Sequence, residues 1–335
     1  MNTNVTPLRH LAAGWFSCVM GLCGLALAWH RAAPLMGAMA DAAALVLGLL
    51  AGAVFIVLTG FYMLRRQRYP QAALEDFRHP VRHPLVATLP VSLLLLAAVT
   101  ESLLGPTMLA HSLWMLGATW QFAVTLWVLT RWLRGNVQGG LTWAGVTPAL
   151  ILSVVGNVLV PLAGLPLGYA EWSAAQFGLG LFFWPLVVLL LFVRIAITGM
   201  WSERLLPSTF ITVAPPAAVG LVALQWGAPV LLAWMAWGVA LLFLVWSTAV
   251  FRRSLTQPFS ITFWALSFPL TAFCALTLRL GGGGPAWFSA LGMMLLALST
   301  LVVAALALAT VKGLRSASLL VPETVPLINA TLAEY

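Results

Sequence analysis

The sequence predicts an all-α polytopic membrane protein, and three observations predict it. Hydrophobic residues make up 62% of the 335. Only 7% are charged, against roughly 25% in a soluble domain. The apolar residues fall into long runs broken by short Gly- and Pro-rich connections. A membrane span takes roughly 20 apolar residues, and ten such runs can be drawn. These lie at about 11–29, 43–64, 84–103, 107–130, 147–165, 173–194, 208–226, 228–250, 260–279 and 286–311. They form one domain, 1–315, followed by a short tail, 316–335. This composition excludes an ordinary soluble enzyme, a disordered chain and a nucleic-acid binder with one basic face.

The net charge of +8 resolves into topology. Of 16 basic residues, 14 fall on alternate connections: Arg9, then Arg65 to Arg82, Arg131 and Arg134, Arg194 and Arg204, Arg252 and Arg253, and Lys312 and Arg315. Only Arg31 and Arg279 lie on the opposite side. Basic residues concentrate in cytoplasmic loops, so the pattern predicts an even number of spans with both termini cytoplasmic. The abundance of Ala, Leu, Gly and Trp, with 15 Arg to one Lys, is that of a GC-rich bacterial genome. It sets the expected location in a bacterial inner membrane.

Odd and even spans differ in their prolines. Pro90 falls in the third, Pro161 in the fifth, Pro215 and Pro216 in the seventh and Pro269 in the ninth, while the first has Gly21 and Gly24. Among the even spans, only the sixth has an internal proline, Pro185. Proline removes a backbone donor and kinks a helix. A carbonyl freed in lipid must find a partner in protein or water. Broken helices therefore belong inside, which predicts five helical hairpins with odd helices inward and even helices facing lipid.

Chemistry is sparse. Cys18, Cys23 and Cys274 sit in apolar runs as packing residues. The five histidines lie near membrane boundaries or in loops, and no metal motif, phosphate-binding loop or catalytic constellation is present. No metal or cofactor is expected, and an enzyme is disfavoured. Pumps keep ionisable groups within their spans, and here Glu101 and His111, near the outer ends, are the only candidates. A wet pathway bordered by positive potential needs no buried cation to pass anions.

The segment from Gln257 to Pro269 is the most informative. A helical stripe reads Ala265, Phe268, Ala272, Ala275 and Arg279. One bulky ring in a line of alanines either plugs a lumen or fills a groove between helices. Arg279 would stand at the pore mouth.

At these residues the chain resembles the tellurite-resistance/dicarboxylate transporter family, which includes the slow anion channel of plant guard cells. The likeness runs through Gly14-Trp15-Phe16, Gly21-Leu22, Arg78-His79-Pro80-Val81 with Pro90, Pro148, Asn157, and Phe182-Phe183-Trp184-Pro185. It continues through Leu206-Pro207-Ser208, Ala214-Pro215-Pro216-Ala217, Gln257-Pro258-Phe259 and Phe263 to Phe268. The resemblance implies ten helices as five hairpins in quasi-five-fold symmetry, odd helices around a central pore, and a homotrimer. It implies a pore-occluding phenylalanine on the ninth helix, carried here to Phe268, with Phe263 as the alternative. Some bacterial relatives have glycine where this chain has Pro269. The expected lumen comprises Gly21, Pro90, Asn157, Pro215, Ala265, Pro269, Ala272 and Ala275, although Asn157 equally suits a hydrogen bond between helices. The expected function is an anion channel or channel-like carrier. The alternative is a proton-coupled C4-dicarboxylate or tellurite/oxyanion transporter. The expected partners are small anions and the bilayer, and nucleic acid is not among them.

Overall fold

The computed structural model describes residues 7–135 and 140–321, and every regular element among them is helical. Most of the tail 316–335 lies outside the described residues. The principal helices are α1 (Ser17–Arg31), α2 (Ala38–Arg68), α3 (Thr88–Leu104) and α4 (Met108–Trp132). Then come α5 (Leu150–Gly164, discontinuous), α6 (Ala170–Thr198), α7 (Ala214–Gln225), α8 (Val230–Phe251), α9 (Ser267–Gly281) and α10 (Ala286–Arg315).

Among the described residues, nine helices are long and apolar enough to cross a membrane. The fifth position, expected as a proline-interrupted span at 147–165, is the shortest and is broken nearer its middle. There the chain forms Leu150–Val154, a 3-10 turn Val155–Leu159 and Pro161–Gly164. Side chains of α4 take up carbonyls that this break frees. Trp114 Nε1 donates to Val160 O at 2.9 Å, and Gln121 Nε2 donates to Leu152 O and Ser153 O. Thr125 Oγ1 donates to Ser153 O at 2.7 Å. Gly180 of α6 lets the two backbones approach, since a Cβ there would meet Val158 N at 2.9 Å.

The prolines act differently from the expected mid-helix kinks. A 3-10 segment precedes the α-helix in four odd positions: Ala13–Phe16 before α1, His83–Ala87 before α3, Leu206–Val213 before α7 and Ile261–Leu266 before α9. In α5 the 3-10 turn lies within the segment. Pro90, Pro161, Pro215, Pro216 and Pro269 all sit in the first turn of the α-helical piece that follows. The fixed φ of proline suits the start of the α-helical piece. Pro90, Pro215, Pro216 and Pro269 thus lie inside continuous helical spans, where a 3-10 segment passes into an α-helix. Pro185, in α6, lies inside an α-helix. Hydroxyls satisfy carbonyls near these junctions. Thr88 Oγ1 donates to Ala13 O at 2.7 Å, Thr212 Oγ1 to Thr209 O, and Ser267 Oγ to Trp264 O.

Burial follows the odd–even division. In the spans containing α1, α3, α7 and α9, 72–78% of the most apolar stretch is buried, against 11–39% in the five even spans. Leu49, Ile56, Phe182, Leu189, Leu242 and Leu301 of even helices are exposed. Such a surface needs an apolar solvent, and the protein is a multi-pass membrane protein. The odd elements contact one another in sequence. α1 packs on α3 and α9, α3 on α5, α5 on α7, and α7 on α9. Each even helix packs on the odd element before it, as α2 does on α1 and α10 on α9.

Candidate functional site

Two cavities lie along the odd elements. The larger, about 500 Å³, is walled by the 3-10 regions: Gly14, Leu85, Gly156, Ser208 and Trp264 represent all five. Its rim carries His79, Arg82 and Arg204 from the arginine-bearing loops. The smaller, about 40 Å³, is walled by Gly24 and Arg31 of α1, Ser102 of α3, Leu162 of α5, Gln225 of α7 and Thr271 of α9. No residue of an even helix borders either cavity. Leu159 and Phe268 border both. Each is about 95% buried, at 5% and 6% exposure.

Phe268 is held from behind. A Cβ on Gly24 would meet Phe268 Cδ2 at 3.0 Å and Thr271 Oγ1 at 2.2 Å. A Cβ on Gly21 would meet Ser267 Oγ at 2.2 Å. These glycines let the side chains of Ser267, Phe268 and Thr271 pack directly on the α1 backbone, which fixes where the ring stands. Phe268 is the second residue of α9, directly after the 3-10 turn.

The other expected lumen residues divide. Pro215, Ala265 and Pro269 border the large cavity, and Ala272 and Ala275 the small one. Gly21 lies at the contact of α1 with α9 rather than on either cavity. Pro90 is buried in the first turn of α3, away from both. Asn157 Nδ2 donates to Thr125 Oγ1 of α4 and to Val154 O, both at 2.8 Å, which matches the interhelical alternative. Phe263 packs edge-on against Phe251 at 5.8 Å and borders neither cavity. Arg279 ends α9 on the exposed side, within electrostatic reach of Arg31. Leu159 escaped the sequence reading because it is one leucine among many. Its only signal is its place two residues before Pro161.

The rim of the large cavity is braced by a bifurcated ion pair. Asp76 Oδ2 contacts Arg65 Nη1 at 2.7 Å, and Asp76 Oδ1 contacts Arg82 Nη1 at 2.8 Å. Arg65 is almost fully buried, and its Nε donates to Arg9 O at 2.8 Å. The pairing ties α2, the short helix Pro70–Arg78 and the start of the third span together. Among the described residues, no cluster of metal-ligating side chains occurs.

The fold is that of a helical membrane protein with two cavities that share Leu159 and Phe268 as lining residues. Residues 10–311 match the voltage-dependent anion channel (SLAC1) family, and the chain belongs to it. That family comprises anion channels and transporters, not enzymes. The chain is 27% identical over 275 residues to a tellurite resistance protein TehA homolog of Haemophilus influenzae, covering 80% of this chain and 81% of that one. It is 27% identical over 270 residues to the S-type anion channel SLAH3 of Arabidopsis thaliana, covering 77% of this chain but only 41% of the plant protein. An uncharacterized transporter of Methanocaldococcus jannaschii is 22% identical over 295 residues, with 81% and 84% covered.

Proposed function

We propose that the protein is an anion channel of the inner membrane. In this reading ten spans form five hairpins, the odd elements surround one pore, and Phe268 closes it. Leu159 shares the closure. The carrying observation is that these two side chains line both cavities, which are bordered by the odd elements and the loops leading into them. The closed sequence of contacts from α1 through α3, α5, α7 and α9 back to α1 supports the ring. α5 completes the count of ten, because its 3-10 turn lengthens a segment of only 15 residues.

The lumen selects by field and size rather than by a fixed ligand set. Its walls are largely apolar side chains and hydroxyls. Apolar constrictions of this kind gate by excluding water, and conduction begins when the obstruction is removed. The arginine-bearing rim at Arg82 and Arg204 raises the local anion concentration, and salt screens this effect. In this reading that rim and both termini face the cytoplasm, and the concentration of arginines in the alternate loops supports it. The functional unit is a homotrimer in which each protomer has its own pore.

The test is the conductance of purified Phe268→Ala in planar bilayers. The substitution exposes a path between the cavities, so chloride and nitrate currents should rise well above those of the native chain. Currents at background from folded, inserted protein would overturn the reading. Coupled transport of a C4-dicarboxylate or oxyanion is the competing outcome. It would appear as uptake that follows an imposed proton gradient instead of the anion's own electrochemical gradient.

A further inference from the structure

We propose that the small cavity beyond Phe268 is a single-ion site for an inorganic monovalent anion, with Arg31 as its fixed charge and Glu101 as the charge that weakens it. The proposal rests on the conduction pathway above. Arg31, the last residue of α1, lines this cavity with Ser102, Gln225 and Thr271. A guanidinium stays charged in a protein, and that of Arg31 is partly shielded from solvent.

Among the described residues, Arg31 has no acidic group within ion-pair distance. The nearby carboxylate of Asp41 is instead engaged by His30, Nδ1 to Oδ1 at 3.0 Å. Glu101 interacts with Arg31 through space without forming an ion pair, and Arg279 adds a second positive charge. Two cations against one anion leave a net positive field at the cavity. The charge of Arg31 is thus left over for a mobile ion. Gln225 Nε2 already donates to Leu162 O at 3.2 Å, and Thr271 Oγ1 to Phe268 O at 2.8 Å. The guanidinium is the charged donor facing the space, beside the Ser102 hydroxyl and the second N–H of Gln225.

Size sets the ligand class. The cavity of about 40 Å³ holds roughly three waters, at about 10–15 Å³ each on this measure. That space suits chloride or nitrate with a remnant of its hydration. A C4-dicarboxylate, with two carboxylates and a four-carbon chain, exceeds it.

Arg31 also ends a helix, where a cation complements the dipole, and the experiment separates these roles. In the Phe268→Ala background, chloride and nitrate conductances are measured in bilayers at low and high salt. Arg31→Gln should lower both by about tenfold at low salt, as loss of a focusing charge does. Arg31→Lys should retain most of the current. Glu101→Gln should raise it, and all differences should shrink as salt is raised. An Arg31→Gln channel that is less heat-stable yet conducts and selects like its parent would show a helix-end role only and overturn the proposal. If Arg31→Gln does not insert, an unchanged low-salt conductance in Glu101→Gln overturns it. Absence of current in the Phe268→Ala parent itself would refute the channel reading instead, which keeps the two failures distinct.

Discussion

The ring of Phe268 occupies the space that a side chain on Gly24 would take: a Cβ there would meet Phe268 Cδ2 at 3.0 Å. The same Cβ would lie 2.2 Å from Thr271 Oγ1, so α1 and α9 must separate to admit it. Gly24→Ala is therefore expected to lower stability by about 1–3 kcal/mol, the usual cost of overpacking. Thermal unfolding in detergent measures it. Because part of the clash is with the ring, Gly24→Ala combined with Phe268→Ala should cost less than the sum of the two, with a coupling of about 0.5–3 kcal/mol.

Leu159 provides a second, graded test of the closure. It borders both cavities but removes less bulk than a phenyl ring when cut back. Leu159→Ala should raise anion conductance less than Phe268→Ala, and the double variant should exceed either. Leu159→Phe in the Phe268→Ala background should reduce the current again. Single-channel recording orders the four, and a Leu159→Ala channel identical to the native one would remove Leu159 from the closure.

Asn157 should affect folding but not selection. Its amide bridges Thr125 and Val154 and holds the broken α5 against α4. Asn157→Leu strands the buried groups around it and should cost about 1–3 kcal/mol. The permeability ratio of nitrate to chloride should stay unchanged. A shifted ratio would place Asn157 in the lumen after all.

Asp76 holds two arginines, one of them buried. Removing one partner of a buried ion pair leaves an uncompensated charge, at a cost of about 3–5 kcal/mol. Asp76→Asn should therefore lower the unfolding temperature markedly. Asp41→Asn, at the exposed His30 pair, should change it little, since surface pairs contribute about 0–1 kcal/mol. Equal effects of the two would refute a bracing role for Asp76.

Much of the inside–outside pattern was legible in the proline positions and the basic loops. Proline marks four of the five odd elements, where a 3-10 stretch passes into or interrupts an α-helix. The sequence therefore located the irregularities without revealing their 3-10 form. A 3-10 turn and an α-helix bury similar side chains at similar spacing, so hydropathy does not distinguish them over five or six residues. Phe268 stood out because alanines surround it on its stripe. Leu159 did not, since neighbours of the same type mask it. Gly21 and Asn157 act across pairs of elements, α1 with α9 at opposite ends of the chain and α4 with its successor α5. Their contacts are invisible without the fold.

The 3-10 segment before α9 carries a geometric consequence. A 3-10 helix advances about 120° and 2.0 Å per residue, an α-helix about 100° and 1.5 Å. Over the six residues Ile261–Leu266 the two conformations differ by about 120° in angular phase and about 3 Å in length. A wheel drawn at one period through Ala265 and Phe268 therefore mixes two clocks. Ala265 keeps time with the wide chamber and Phe268 with the helix beyond it, and the ring stands where the two meet.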